Sequence, residues 1–93
     1  MTANSKALQD VLAERERQDL KWGVQNHEHL RWLAILGEEV GETNSAVLES
    51  NAMQYRTEMV EVAAVALAAV ECFDRRAEPW GDAVERTDGY DRA

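Results

Sequence analysis

YRTEMVEVAAVALAAVE, residues 55–71, is the stretch on which the reading of this chain turns. Its centre, VAAVALAAV at 62–70, is apolar almost all the way round a helix, which is the pattern of a helix buried on most sides. Its alanines allow a neighbouring backbone to approach closely. Two acids, Glu58 and Glu61, stand at its head in an i,i+3 relation, so they project from one side of the helix. The only proline is Pro79, so nothing interrupts a helix from about 52 to 74, with Ser50 and Asn51 before it as a short turn and N-cap.

Working outward, apolar periodicity predicts a second helix over about 30–48 and a first over about 5–19, the latter with Leu8, Val11 and Leu12 as its stripe. LKWGVQNHEH, residues 20–29, has a glycine and mixed polarity and reads as a loop or irregular turn. Beyond Arg76, Pro79, Gly81 and Gly89 suggest a short turn or helix with a loose terminus. No stretch reads as a strand. The expectation is one all-α domain over residues 1–93, with its core at about 5–76 and a loosely ordered tail at about 77–93.

The acids on the second helix are as oddly placed as those on the third. With Leu36 at the origin and about 100° per residue, Leu33, Val40 and Val47 fall within about 60° of it. Ile35 and Ala46 extend that apolar face on the other side. Glu39 falls inside the face, Glu42 on its edge, and Glu38 further round. On the third helix, Met59, Ala63, Ala66, Val70 and Phe73 form a stripe, while Glu58 lies between Val65 and Ala69, and Glu61 beside Ala68 and Cys72. Glu39 and Glu42 repeat the i,i+3 spacing, so an antiparallel hairpin would bring four carboxylates together. Such a cluster repels itself unless a cation or proton offsets the charge. Hard oxygen ligands favour Mg²⁺ or Mn²⁺. A metal held there suits hydrolysis of a phosphate ester or anhydride, and equally a bundle that merely uses metal for stability.

Composition narrows the partners. Eighteen acids against ten Lys and Arg give a net charge of -8, which disfavours a nucleic-acid-backbone binder. A small phosphate-bearing substrate remains compatible, because a divalent cation inverts the local field. A single cysteine, Cys72, excludes an internal disulfide. With no signal-like N-terminal run and no apolar stretch near the roughly 20 residues a bilayer demands, the expectation is a cytoplasmic protein with no membrane partner. A chain of 93 residues buries a modest share of its surface and gains by associating with copies of itself. No P-loop and no C-x-x-C or H-E-x-x-H zinc pattern is present.

GEEVGE at 37–42, then EMVE at 58–61 after a connecting stretch of 15 residues, resembles the EExxE and ExxD signature of MazG-like all-α nucleoside-triphosphate pyrophosphohydrolases. ERERQDLKWGVQNHEHLRWLAILGEEVGE also looks like the small phage or bacterial members, and the likeness spans about 14–75. It implies an intertwined helix-bundle homo-oligomer, a dimer or tetramer. It also implies Mg²⁺-dependent hydrolysis of a nucleoside or deoxynucleoside triphosphate to the monophosphate and pyrophosphate, by in-line attack of a metal-activated water. Carried over, Glu39, Glu42, Glu58 and Glu61 would be metal ligands, and Glu38 would support them or orient water. Glu61 stands where the pattern has aspartate, one methylene longer.

Around that cluster, Lys21 is the expected phosphate contact, and Arg56 would meet phosphate or a carboxylate of another subunit. Trp22, Gln25, Asn26 and His27 would form a nucleoside pocket, by stacking and by binding the edge of the base or the sugar. Trp32 and Cys72 read as core residues and His29 as a boundary residue. The alternative to an enzyme is a helical homo-oligomer of the same fold that binds nucleotide or metal, or is purely structural, and turns nothing over.

Overall fold

The computed structural model describes residues 5–76; the tail expected at 77–93 lies outside them. Three helices make a small all-α domain: α1 over Lys6–Trp22, α2 over His29–Leu48 and α3 over Ala52–Arg75. Each begins on a side-chain cap that satisfies backbone N–H groups the helix itself leaves unpaired. The Ser5 hydroxyl accepts from Leu8 N–H, the Glu28 carboxylate from those of Leu30 and Arg31, and the Asn51 amide oxygen from that of Gln54.

α1 runs three residues further than its sequence pattern suggested, so Leu20, Lys21 and Trp22 are helical and only 23–28 connect α1 to α2. Gly23 marks the end. Its φ of 77° with ψ of 175° is an extended positive-φ conformation that glycine adopts without side-chain strain, and its N–H donates to Asp19 C=O at 2.8 Å. The α2–α3 turn is tighter. Ser50, at φ 55°, takes the left-handed position where glycine is usual. Ser50 N–H donates to Val47 C=O and Asn51 N–H to Ala46 C=O, each at 3.0 Å, the paired closure of a Schellman turn.

That turn folds α2 back antiparallel on α3. α1 also packs on α3, and its backbone makes no close approach to that of α2, so α3 is the shared centre. Arg15 pins α1 down: its buried guanidinium donates to Asp19 on its own helix and to Glu71 on α3. Arg56 of α3 pairs with Asp10 of α1 at 2.9 Å. The core is thin. Trp32, Val65, Ala68 and Cys72 form it, with Ile35, Leu36 and Ala69 half-buried against them.

The helices are rolled differently from what their apolar stripes suggested. On α3, Ala64, Val65, Ala68 and Cys72 face inward together with Glu58, while Met59, Val70 and Phe73 are exposed. On α2, Trp32, Thr43 and Ala46 face inward, and Leu33, Val40 and Val47 are exposed. Small residues let α1 and α2 close on α3, so the larger side chains turn out. Among the described residues, no large side chain is completely buried, and no helix is long and apolar enough to cross a membrane.

Candidate metal centre and adjoining cleft

The same roll that exposes the apolar stripe carries the acids inward. α2 supplies Glu39 and Glu42, α3 supplies Glu58 and Glu61, and one oxygen from each lies within 4.8 Å of all the others. The antiparallel register does this, because each i,i+3 pair projects from one side of its helix and the two sides face each other. Glu58 is buried, Glu39 and Glu61 are half-buried and Glu42 is exposed, so the cluster opens on one side.

Its polar bookkeeping does not close. Gln54 donates to one Glu58 oxygen. The other Glu58 oxygen and one of Glu39 are sealed from solvent with no hydrogen-bond partner. Buried carboxylate oxygens without a donor are costly unless something cationic meets them. Glu61 shows the strain in its titration. Burial first, then a hydrogen bond with Glu39 and the charges of Glu58 and Glu39, pushes its carboxyl up to about 7. Glu42 is also held above the usual carboxylate range, chiefly by the charge of Glu39, then by a hydrogen bond with Glu58 and its charge. Four carboxylates each offering a hard oxygen within 4.8 Å of the others, two of the four residues carrying a buried oxygen with no partner, could chelate a divalent cation. Glu38 is exposed and stands outside the set, although its charge is felt at Glu42.

The expected cationic contacts fall elsewhere. Lys21 lies in the last turn of α1, its Nζ 4.8 Å from the centre of the Trp22 ring, so these two occupy each other. Arg56 is engaged by Asp10. Arg17 is the α1 cation whose charge reaches Glu61; it is held on Glu14 by two hydrogen bonds, at 2.9 and 2.6 Å. Nothing in the helical periodicity singled it out, because the proximity exists only across α1 and α3.

The expected nucleoside residues divide. His27 joins a cleft of about 450 Å³ between the start of α2 and the end of α3, walled by Trp32, Leu33, Cys72, Phe73 and Arg76. Its ring meets Trp32 edge-on, with centroids 4.9 Å apart. His27 Nε2, sealed from solvent, has no hydrogen-bond partner. Gln25 and Asn26 are bonded to Arg75 rather than lining the cleft, and Trp22 is largely exposed beside Lys21. Trp32 is therefore both a core residue and a cleft wall, and Phe73 is an aromatic wall that the sequence did not mark. Seven residues separate Trp32 from Glu39 on α2, so the cleft lies about 10 Å along the helix from the acids. No protein-family model matches this chain, and neither a curated protein nor a solved structure matches it.

Proposed function

We propose that this chain binds a divalent cation, Mg²⁺ or Mn²⁺, at Glu39, Glu42, Glu58 and Glu61, and uses it to hydrolyse a nucleoside triphosphate to the monophosphate and pyrophosphate. The observation that carries the reading is the convergence of those four carboxylates with two buried oxygens left unpartnered. The resemblance to MazG-like pyrophosphohydrolases supplies the reaction class. When bound, a divalent cation there supplies Lewis-acid stabilisation of phosphoryl charge and a more acidic water.

The chain's own residues do the rest. Glu58, fixed by Gln54 and by burial, is the rigid member of the ligand set, and Glu42 at the open side is the adjustable one. Arg17 is placed to leave Glu14 for the triphosphate, adding positive charge where four acids would repel it. The cleft takes the base. Its size is that of a small-molecule pocket, Trp32 and Phe73 offer aromatic surface, and its distance from the acids suits a nucleoside with phosphates at the cluster.

Binding without turnover is the second reading, and the acid cluster supports it directly, since chelation needs nothing beyond the four carboxylates. The two part on one measurement. Pyrophosphate release is followed from a panel of ribo- and deoxyribonucleoside triphosphates, with Mg²⁺ or Mn²⁺ and with chelator, beside Glu39→Gln. Metal-dependent release lost in the variant is the expected result. A folded protein that binds Mn²⁺ yet releases nothing from any triphosphate is a binding protein.

A second copy of the chain is the proposed cover for the outer apolar face. Val40 and Val47 of α2 and Met59 of α3, none of them a wall of the cleft, are between 42% and 56% exposed. A symmetric dimer would bury the same face on both copies. Val40→Lys with Val47→Lys is expected to convert a sedimenting dimer or tetramer to monomer at about 10 µM, with helicity kept. A wild-type monomer at that concentration rejects the interface.

A further inference from the structure

The six residues 23–28 join two helices whose backbones make no close approach to each other, so this connector takes its position from α3. Two side chains at the end of α3 hold it. Arg75 donates through Nε and Nη2 to the Asn26 amide oxygen, at 3.2 and 2.9 Å, and through Nη2 to the Gln25 carbonyl at 3.0 Å. One turn earlier, the Cys72 thiol reaches the His27 carbonyl at 3.5 Å. The chain separations are 49, 50 and 45 residues, so these contacts exist only because α3 ends where the connector passes. The next residue after the clamped pair is His27, whose ring stands edge-on to Trp32 and walls the cleft.

We infer that Arg75 is a positioning residue: it fixes the Gln25–Asn26 segment and thereby holds the His27 imidazole in place as one wall of the cleft. As a statement about substrate binding, this rests on the reading of the cleft as the nucleoside subsite. The chemistry favours arginine for the task. Its planar fork spans a side-chain oxygen and a backbone carbonyl at once, which a lysine ammonium on a flexible stem does not do. Glu28 fixes the far end of the connector by capping α2, and Gly23 closes α1 at the near end. Between those anchors, Arg75 sets how far His27 leans into the cleft. Arg75 touches neither the acid cluster nor the reacting phosphates in this scheme, so its effect belongs to binding rather than to the chemical step.

The chain has two histidines, His27 and His29, which makes the imidazole resonances easy to assign. With the Trp32 ring 4.9 Å away and edge-on, those of His27 are expected to be displaced by its ring current. Arg75→Ala is expected to move them towards random-coil positions, while the His29 resonances stay, and Arg75→Lys is expected to restore part of the displacement. On the best triphosphate of the panel, Arg75→Ala should raise KM about 5- to 10-fold, as expected for losing hydrogen bonds to a charged donor, with kcat within about twofold. Arg75→Lys should lie between. Unchanged His27 resonances in Arg75→Ala overturn the inference, as does an equal fall in kcat with KM unmoved. If the wild-type protein hydrolyses no triphosphate, the hydrolase reading falls, while the His27 resonances still decide whether Arg75 holds this wall.

Discussion

Glu58→Gln is expected to abolish metal-dependent pyrophosphate release and, in chelator, to raise the melting temperature of the protein. The two effects have one cause. Glu58 is the buried member of the quartet, with one oxygen on Gln54 and the other sealed without a partner. Three further carboxylates lie within 4.8 Å. In the metal-free protein one buried oxygen of Glu58 lacks a donor and three other carboxylates crowd it, so an amide of the same shape, which can donate a hydrogen bond to one of them, relieves the fold. The gain should be about 1 kcal/mol, or roughly 4–8 °C for a domain of this size. With metal present the preference reverses, since an amide oxygen is a weaker ligand than a carboxylate. Loss of activity on the order of 100-fold or more corresponds to about 3 kcal/mol of transition-state stabilisation. Thermal melts of both proteins in chelator and in Mg²⁺, run beside the release assay, give the answer. A variant that melts lower in chelator, with the same Mg²⁺-induced rise as wild type, would remove Glu58 from any cation site.

The second large effect is a stability that falls with rising pH in chelator and stops falling with metal. Burial and its carboxylate neighbours push Glu61 up to about 7 in the fold from the usual 4.5, and Glu42 is shifted in the same direction. Between those two values the folded chain holds a proton that the unfolded chain has released, so stability declines as pH rises. The decline begins near the unfolded value and is complete once pH passes about 7. The full shift would correspond to about 3 kcal/mol, and solvent reaching a half-buried carboxyl reduces this to about 1–2 kcal/mol. Saturating Mg²⁺ should flatten the slope, because ligating carboxylates must be ionised, and metal affinity should weaken as pH drops below about 7. Urea unfolding between pH 5 and 8, with chelator and with Mg²⁺, beside Glu61→Gln, is the measurement. A slope of opposite sign, or one that Glu61→Gln leaves intact, rejects the assignment.

Much of this architecture was legible in the sequence, because helices are local objects. Asn51 acts at a helix start within a few residues of itself, and the apolar periodicity of 30–48 and 52–74 needs only the chain's own 3.6-residue repeat. The i,i+3 spacing fixed that Glu39 pairs with Glu42, and Glu58 with Glu61, on one side of each helix. The sequence therefore brought the acid quartet within sight, given a hairpin.

The tertiary structure decided which way those sides face. A helix apolar almost all round, as at 62–70, carries no local instruction for its rotation, and the choice fell to close packing of Ala64, Ala68 and Cys72. That turned Met59, Val70 and Phe73 outward and Glu58 inward. It also separated the two tryptophans near the connector: Trp22 pairs with Lys21 on the surface, and Trp32 walls the cleft. Arg75 gained its place in the same way, from neighbours dozens of residues distant. Periodicity reports the geometry of one helix about its own axis. Which residues meet across helices depends on rotation and register between them, and those are settled only when the whole chain packs.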